Sequence, residues 1–167
     1  MYQDDYMVAG NIQTPKSKLA ELMLSEQSKV RIRVAENPRT PMTVLTRLIY
    51  DPDSEVRLSV ANNPNVTFAL LEWLVIDESS DVRFGLAENH HLPEMLLKQL
   101  SLDENPYVAE RAKQTQLALQ RERFETELKE IIESEDVNAP ECKKWAYASK
   151  TVRDWLSKPA TALGAAG

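Results

Sequence analysis

The sequence predicts an all-α fold: a short α-solenoid of about four 26-residue, two-helix repeats, followed by a long helix and a further amphipathic helix. Three observations carry this. KVRIRVAENP (Lys29–Pro38), EVRLSVANNP (Glu55–Pro64) and DVRFGLAENH (Asp81–His90) recur 26 residues apart without a slip in register. A period in this range marks units that cannot bury an apolar face alone and must stack on their neighbours. Within each repeat leucines stand at helical i, i+3 spacing, and from Tyr107 to Ser134 the chain has neither Gly nor Pro.

Residues 1–13, with Tyr2, Tyr6 and Met7, are expected to cap the N-terminal end of the array, which occupies 14–115. Pro15, Pro41 and Pro93 share one repeat position, with Thr67 in the remaining copy, and Thr14 and Thr40 precede two of the prolines. Thr as N-cap followed by Pro at the first helical position predicts a helix start: the hydroxyl accepts an orphan N–H, and Pro has none to lose. Leu19, Leu45, Leu71 and Leu97, then Leu22, Leu48, Leu74 and Leu100, supply the buried stripe. Polar breaks follow at Asp51–Ser54, Asp77–Ser80 and Asp103–Pro106, where Asp53, Ser79 and Asn105 share a position suited to an N-cap. The second helix carries Val30, Val56, Val82 and Val108, four residues before Val34, Val60, Leu86 and Ala112. Ala35, Ala61 and Ala87 are small enough for close backbone approach. Asn37, Asn63 and Asn89 end the segment, and Pro38 and Pro64 stop its continuation.

The joined pattern, V-R-x-x-V-A-x-N-P then T-P-x-x-x-L-x-x-L, resembles the leucine-rich repeat variant family, HEAT-like α-solenoids, from about Thr14 to Thr115. The resemblance implies an α-helix alternating with a shorter, often 3-10-like helix in a right-handed superhelix. The period of 26 is slightly longer than is usual for that family. The founding member's N-terminal cysteine cluster, which binds iron–sulfur, has no counterpart in this sequence, so the resemblance brings no cofactor.

Arg31, Arg57 and Arg83 share one repeat position, where the fourth copy has Ala109; Asp51, Asp77 and Asp103 share another, where the first copy has Ser25. Pairing within a repeat leaves Arg31 and Asp103 alone. Pairing each Arg with the Asp twenty residues on leaves none alone. Staples between neighbouring repeats are therefore expected at Arg31–Asp51, Arg57–Asp77 and Arg83–Asp103, each worth about 1.5–3 kcal/mol as partly buried, charge-assisted contacts. The rival is an Arg row that grips an anion such as phosphate, against which each Arg has an Asp at hand.

The formal charge of −6 argues against a general nucleic-acid binder, although Lys29, Arg33 and Arg39 make a local basic strip in the first repeat. The opening MYQDDYMVAG lacks the basic and apolar regions of a signal peptide, and the apolar stretch Ala69–Ile76 is too short to span a bilayer, so a cytoplasmic protein without a membrane span is expected. Cys142, the sole cysteine, can build no disulfide, thiolate zinc site or iron–sulfur cluster by itself. His90 and His91 stand where other copies have a turn proline, and adjacent positions rarely face one metal ion. No Gly-rich phosphate loop, H-E-x-x-H or G-x-S-x-G occurs, so neither catalysis nor a cofactor is expected.

Residues 116–158 are expected to form a helical extension, with an apolar stripe of Phe124, Leu128, Ile131 and Ile132 among many glutamates. It is expected to seal the array, or alternatively to protrude and pair with another copy or a partner. Val137–Pro140 makes a break before a second amphipathic segment that places Trp145 and Trp155 at helical spacing, and 159–167 reads as a flexible tail. The function expected is a non-catalytic protein–protein interaction or scaffold module. Its contacts would come from Arg33, Ser59 and Gly85, one repeat position on the second helices, and from Trp145 and Trp155. Self-association through the C-terminal helices is a further expectation; the alternative function is nucleic-acid association through the basic strip.

Overall fold

Apolar residues at i, i+3 and i+4 and polar breaks after each stripe divide the first three 26-residue repeats into two short α-helices each. The computed structural model describes residues 2–133, and among them the fold is all-helical. Helix α1 (Tyr2–Gly10) opens the chain. Pairs follow: α2 (Lys16–Leu22) with α3 (Ser28–Glu36), α4 (Met42–Leu48) with α5 (Ser54–Ala61), and α6 (Phe68–Leu74) with α7 (Ser80–Glu88). Helix α8 (Glu94–Leu100) then leads to α9 (Pro106–Glu133). The first helix of each pair spans seven residues and the second eight or nine. The chain divides into two compact parts, Met1–Gln116 and Leu117–Gly167. Trp145, Trp155, Cys142 and the tail 159–167 lie outside the described residues, as do the side chains of Leu128, Ile131 and Ile132.

The first helices begin one residue later than the Thr-Pro pattern predicts. Pro15, Pro41 and Pro93 are themselves the N-caps, with extended ψ of 145°, 148° and 134°. Thr14 and Thr40 act backwards: Thr14 Oγ1 donates to the Val8 carbonyl and Thr40 Oγ1 to the Val34 carbonyl, each at 2.6 Å. Those carbonyls sit in the last turn of the preceding helix, where each also accepts the N–H three residues on, from Asn11 and Asn37, and a residue before proline is held extended in any case. The second helices are capped as expected. Asp53 Oδ1 accepts from the Glu55 N–H, Ser79 Oγ from Asp81 and Asn105 Oδ1 from Tyr107.

The leucine and valine stripes meet between the two layers of helices. Leu19, Leu45, Leu97, Val30, Val56, Val82, Val34, Val60 and Leu86 are fully buried, and Ala35, Ala61 and Ala87 lie beside them. A buried aliphatic side chain of this size stabilises by roughly 1.5–3 kcal/mol, which short helices need because they are marginal alone. The second helices stack in succession, α3 on α1, α5 on α3 and α7 on α5. In α9, Val108, Ala112 and Thr115 are buried at the repeat positions of Val82, Leu86 and Asn89.

Each first helix closes in a tight turn of i→i−3 hydrogen bonds. Leu24 and Ser25 donate to Glu21 and Leu22; Tyr50 and Asp51 to Arg47 and Leu48; Ile76 and Asp77 to Trp73 and Leu74; Leu102 and Asp103 to Gln99 and Leu100. These tightened last turns satisfy carbonyls that would otherwise be orphaned. They also fix two neighbouring side chains per repeat on the loop edge, the aspartate and the residue just before it.

Candidate interaction surface

The loop edge is held by a ladder of forked contacts. Arg31 donates through Nε and Nη2 to Asp51 Oδ2 and Oδ1 at 2.7 and 2.8 Å. Arg57 holds Asp77 in the same way at 2.8 and 2.8 Å, and Arg83 holds Asp103 at 2.8 and 3.1 Å. The third nitrogen, Nη1, donates to the carbonyl of the residue six positions back: Ser25 at 2.8 Å, Asp51 at 2.7 Å and Asp77 at 2.7 Å. Asp51 and Asp77 are thus each held twice, the carboxylate by one arginine and the carbonyl by the next. The Asp Oδ1 atoms also accept the N–H of Asp53, Ser79 and Asn105, closing the turn. Side-chain exposure at the three pairs is only 5–13%. Bidentate, shielded geometry of this kind is the strong class of ion pair.

The electrostatics follow from these bonds. Each of the three guanidiniums is held above its ordinary pKa, chiefly by its hydrogen bond to the aspartate. Burial pushes the Asp103 carboxyl upward, but the bonds from Arg83 and the Asn105 N–H outweigh it and leave the group below its ordinary range. Asp53 is also lowered, first by the Ser28 hydroxyl and then by the Glu55 N–H that it caps.

A second ladder escaped the sequence reading, which took Asn37 and Asn63 only as turn residues. Both are buried. Asn37 Nδ2 donates to the carbonyls of Ala9 and Asn11 at 2.7 and 2.9 Å, and Asn63 Nδ2 to those of Ala35 and Asn37. Their Oδ1 atoms accept from Arg39 and Asn65 N–H. Thr115 makes the matching bond to the Ala87 carbonyl at 2.7 Å. A side-chain amide can satisfy several backbone groups at once, and a turn alone would not require it at both Asn37 and Asn63.

The three sequence candidates on the second helices are engaged within the array. Arg33 lies 5.2 Å over the Tyr6 ring, bonds Glu36 Oε2 at 2.8 Å, and covers Gly10. Ser59 Oγ donates to the Glu55 carbonyl of its own helix. At Gly85 an added Cβ would stand 2.5 Å from Leu58 Cδ1, so α5 and α7 approach closely there. Of the basic strip, Lys29 and Arg39 are exposed, while Arg33 is tied to Glu36. His90 and His91 are exposed in the turn after α7.

What the structure exposes instead is a row along the loop edge. Leu24, Tyr50, Ile76 and Leu102 occupy one repeat position and are 73%, 68%, 61% and 82% exposed. Trp73, 58% exposed, meets Tyr50 edge-to-face with ring centroids 6.5 Å apart. Two open grooves lie along this row. One, of about 380 Å³, runs between the Tyr50–Trp73 pair and Ile76, with Arg57 and Asp77 in its lining. The next, of about 360 Å³, runs between Ile76 and Leu102, with Arg83 and Asp103. Glu78 and Glu104, 89% and 90% exposed, rim them. The row was visible in the sequence as a large apolar residue just before each polar break, at the same 26-residue spacing as the core leucines. Exposure separates the two, and only the tightened last turns reveal it.

Among the described residues no helix is long and apolar enough to cross a membrane, and no group of His, Cys, Asp and Glu is placed to hold a metal ion. The chain matches no family model, no curated protein and no solved structure.

Proposed function

We propose that the chain is a non-catalytic protein-interaction module, a right-handed α-solenoid of about four repeats of the leucine-rich repeat variant type, working in the cytoplasm. The observation that carries the binding role is the row Leu24, Tyr50, Ile76 and Leu102. Scattered exposed apolar residues are ordinary, but four at one repeat position, three of them lining grooves and one in an aromatic pair, make a row of the sort that marks interaction sites. Supporting the solenoid reading are the two hydrogen-bond ladders, which repeat with the sequence period. The contact surface favoured by the structure is the loop edge, in place of the second-helix positions Arg33, Ser59 and Gly85. Contacts through Trp145 and Trp155 belong to residues beyond 133, and these, like self-association through the C-terminal helices, rest on the sequence pattern alone.

The test is a quantitative affinity capture from the native cell extract with the intact chain and with a Tyr50→Lys/Ile76→Lys/Leu102→Lys variant. A partner retained by the first and lost by the second is the expected result. Partners bound equally by both would overturn the reading.

A further inference from the structure

Resting on that interaction reading, we infer that the partner of the loop edge is a basic, proline-rich segment bound as a left-handed polyproline II helix. Three features of the edge select this occupant: its pitch, its aromatic pair and its charge.

Pitch comes first. Neighbouring helices pack about 8–10 Å apart, so side chains at one repeat position advance by about that distance per repeat. A polyproline II helix rises about 3.1 Å per residue with three residues per turn, so every third residue returns to the same face after about 9 Å. Each turn of such a ligand therefore meets one repeat, and its apolar side chains fall successively into the groove between Tyr50 and Ile76 and the groove between Ile76 and Leu102. An α-helical ligand returns to one face after about 5.4 or 10.8 Å, a less close match to the same spacing.

The aromatic pair supplies the anchor. Tyr50 and Trp73 stand edge-to-face at an interplanar angle of 61°, both well exposed, and form one wall of the first groove. Pyrrolidine rings dock on aromatic-lined grooves because they bury apolar area while losing little conformational freedom.

Charge sets the sign of the ligand. In the first groove Asp51, Asp77 and Glu78 face the single cation Arg57; in the second, Asp77, Glu78, Asp103 and Glu104 face the single cation Arg83. Both arginines are already committed to Asp77 and Asp103, so the outward field at the rim is that of Glu78 and Glu104. A ligand that presents Lys or Arg on every third position answers the rim while its prolines fill the grooves.

The experiment titrates the full chain with a fluorescent peptide of about twelve residues, Pro-Pro-Lys repeated four times, and with a second peptide of equal charge in which alanine replaces proline. Saturable binding of the proline peptide at least ~10-fold tighter than the alanine peptide is expected. Trp73→Ser and Tyr50→Ser should each weaken it about 10-fold, while Glu78→Gln/Glu104→Gln should weaken it about 3-fold and flatten its salt dependence. Both aromatic side chains are exposed, so unchanged thermal melting of the variants shows that folding is intact. Equal binding of the two peptides, if weakened by Tyr50→Ser, overturns the polyproline assignment and leaves the loop edge as the interaction surface. Absence of saturable binding by the proline peptide, or binding indifferent to Tyr50 and Trp73, overturns the assignment outright. The status of the edge itself is then decided by the capture experiment.

Discussion

Arg57→Ala should be among the most damaging single substitutions in the chain. The guanidinium is 7% exposed and makes two bonds to the Asp77 carboxylate and one to the Asp51 carbonyl. Its removal leaves Asp77, also 7% exposed, charged and shielded from water, with the Ser79 N–H among its remaining donors. Breaking a shielded ion pair by deleting one partner costs about 3–5 kcal/mol, most of it the cost of the stranded charge. For a folded part of this size, 1 kcal/mol corresponds to roughly 3–5 °C, so the melting temperature should fall by about 10–20 °C. Urea denaturation followed by circular dichroism gives the free energy directly. A double-mutant cycle with Asp77→Ala should return a coupling energy of about 1.5–3 kcal/mol, since removing both charges relieves the stranding. Arg57→Lys should fall between, because an ammonium cannot reproduce the fork or reach both loops. A destabilisation within about 0.5 kcal/mol, the range of ordinary surface changes, would sink the view that these contacts hold the repeats together.

Asn63→Ala removes two inter-repeat N–H bonds and leaves the buried Ala35 carbonyl without its cross-repeat donor, while the Asn37 carbonyl keeps the Thr40 N–H, for an expected loss of about 1–3 kcal/mol by urea denaturation. Gly85→Val drives a branched side chain into Leu58 and should cost about 1–3 kcal/mol; adding Leu58→Ala should recover at least half of that if close approach of α5 and α7 is the cause. Asp103→Asn should cost about 2 kcal/mol at pH 7. Because the folded carboxyl lies below its ordinary value of 3.8, its contribution is present above that value, is lost as the pH falls through the folded pKa, and leaves variant and parent converging at still lower pH. Urea midpoints measured across that range check the sign.

Most of the fold was legible because the repeat states each rule several times. Leucines at i, i+3 named the buried stripe, Asp53, Ser79 and Asn105 named the caps, and the staggered absences at Ser25 and Ala109 indicated which Arg meets which Asp. What was misread shares one physical cause: spacing along a chain does not say which way a side chain points. Thr14 and Thr40 have the chemistry of an N-cap, yet their hydroxyls turn back to the previous helix. Asn37 and Asn63 have the chemistry of a turn, yet their amides reach across to the previous repeat. Gly85 shares a position with Arg33 and Ser59 and read as a varied surface, but its missing side chain makes room for Leu58. Leu102 follows Leu100 by two residues, and the tight last turn sends one outward and the other into the core.

The arginine ladder, the most conspicuous charge in the sequence, is poorly suited to recognise anything outside the chain. A guanidinium has five N–H donors, and Arg57 places three of its nitrogens on two loops of the same protein. Glu78 stands a further 3.7 Å from Nη2 and faces any approaching anion with a negative charge. A phosphate would have to displace a bidentate carboxylate already at 2.8 Å and strand Asp77, which reverses the sign of the exchange. Because Asp77 is clamped through both its carboxylate and its carbonyl, the preceding residue, Ile76, is held in place with it. In the proposed binding role the ladder's contribution is therefore indirect: it fixes the spacing of the apolar row, and a row held at fixed spacing would bind an extended ligand without first losing its own freedom.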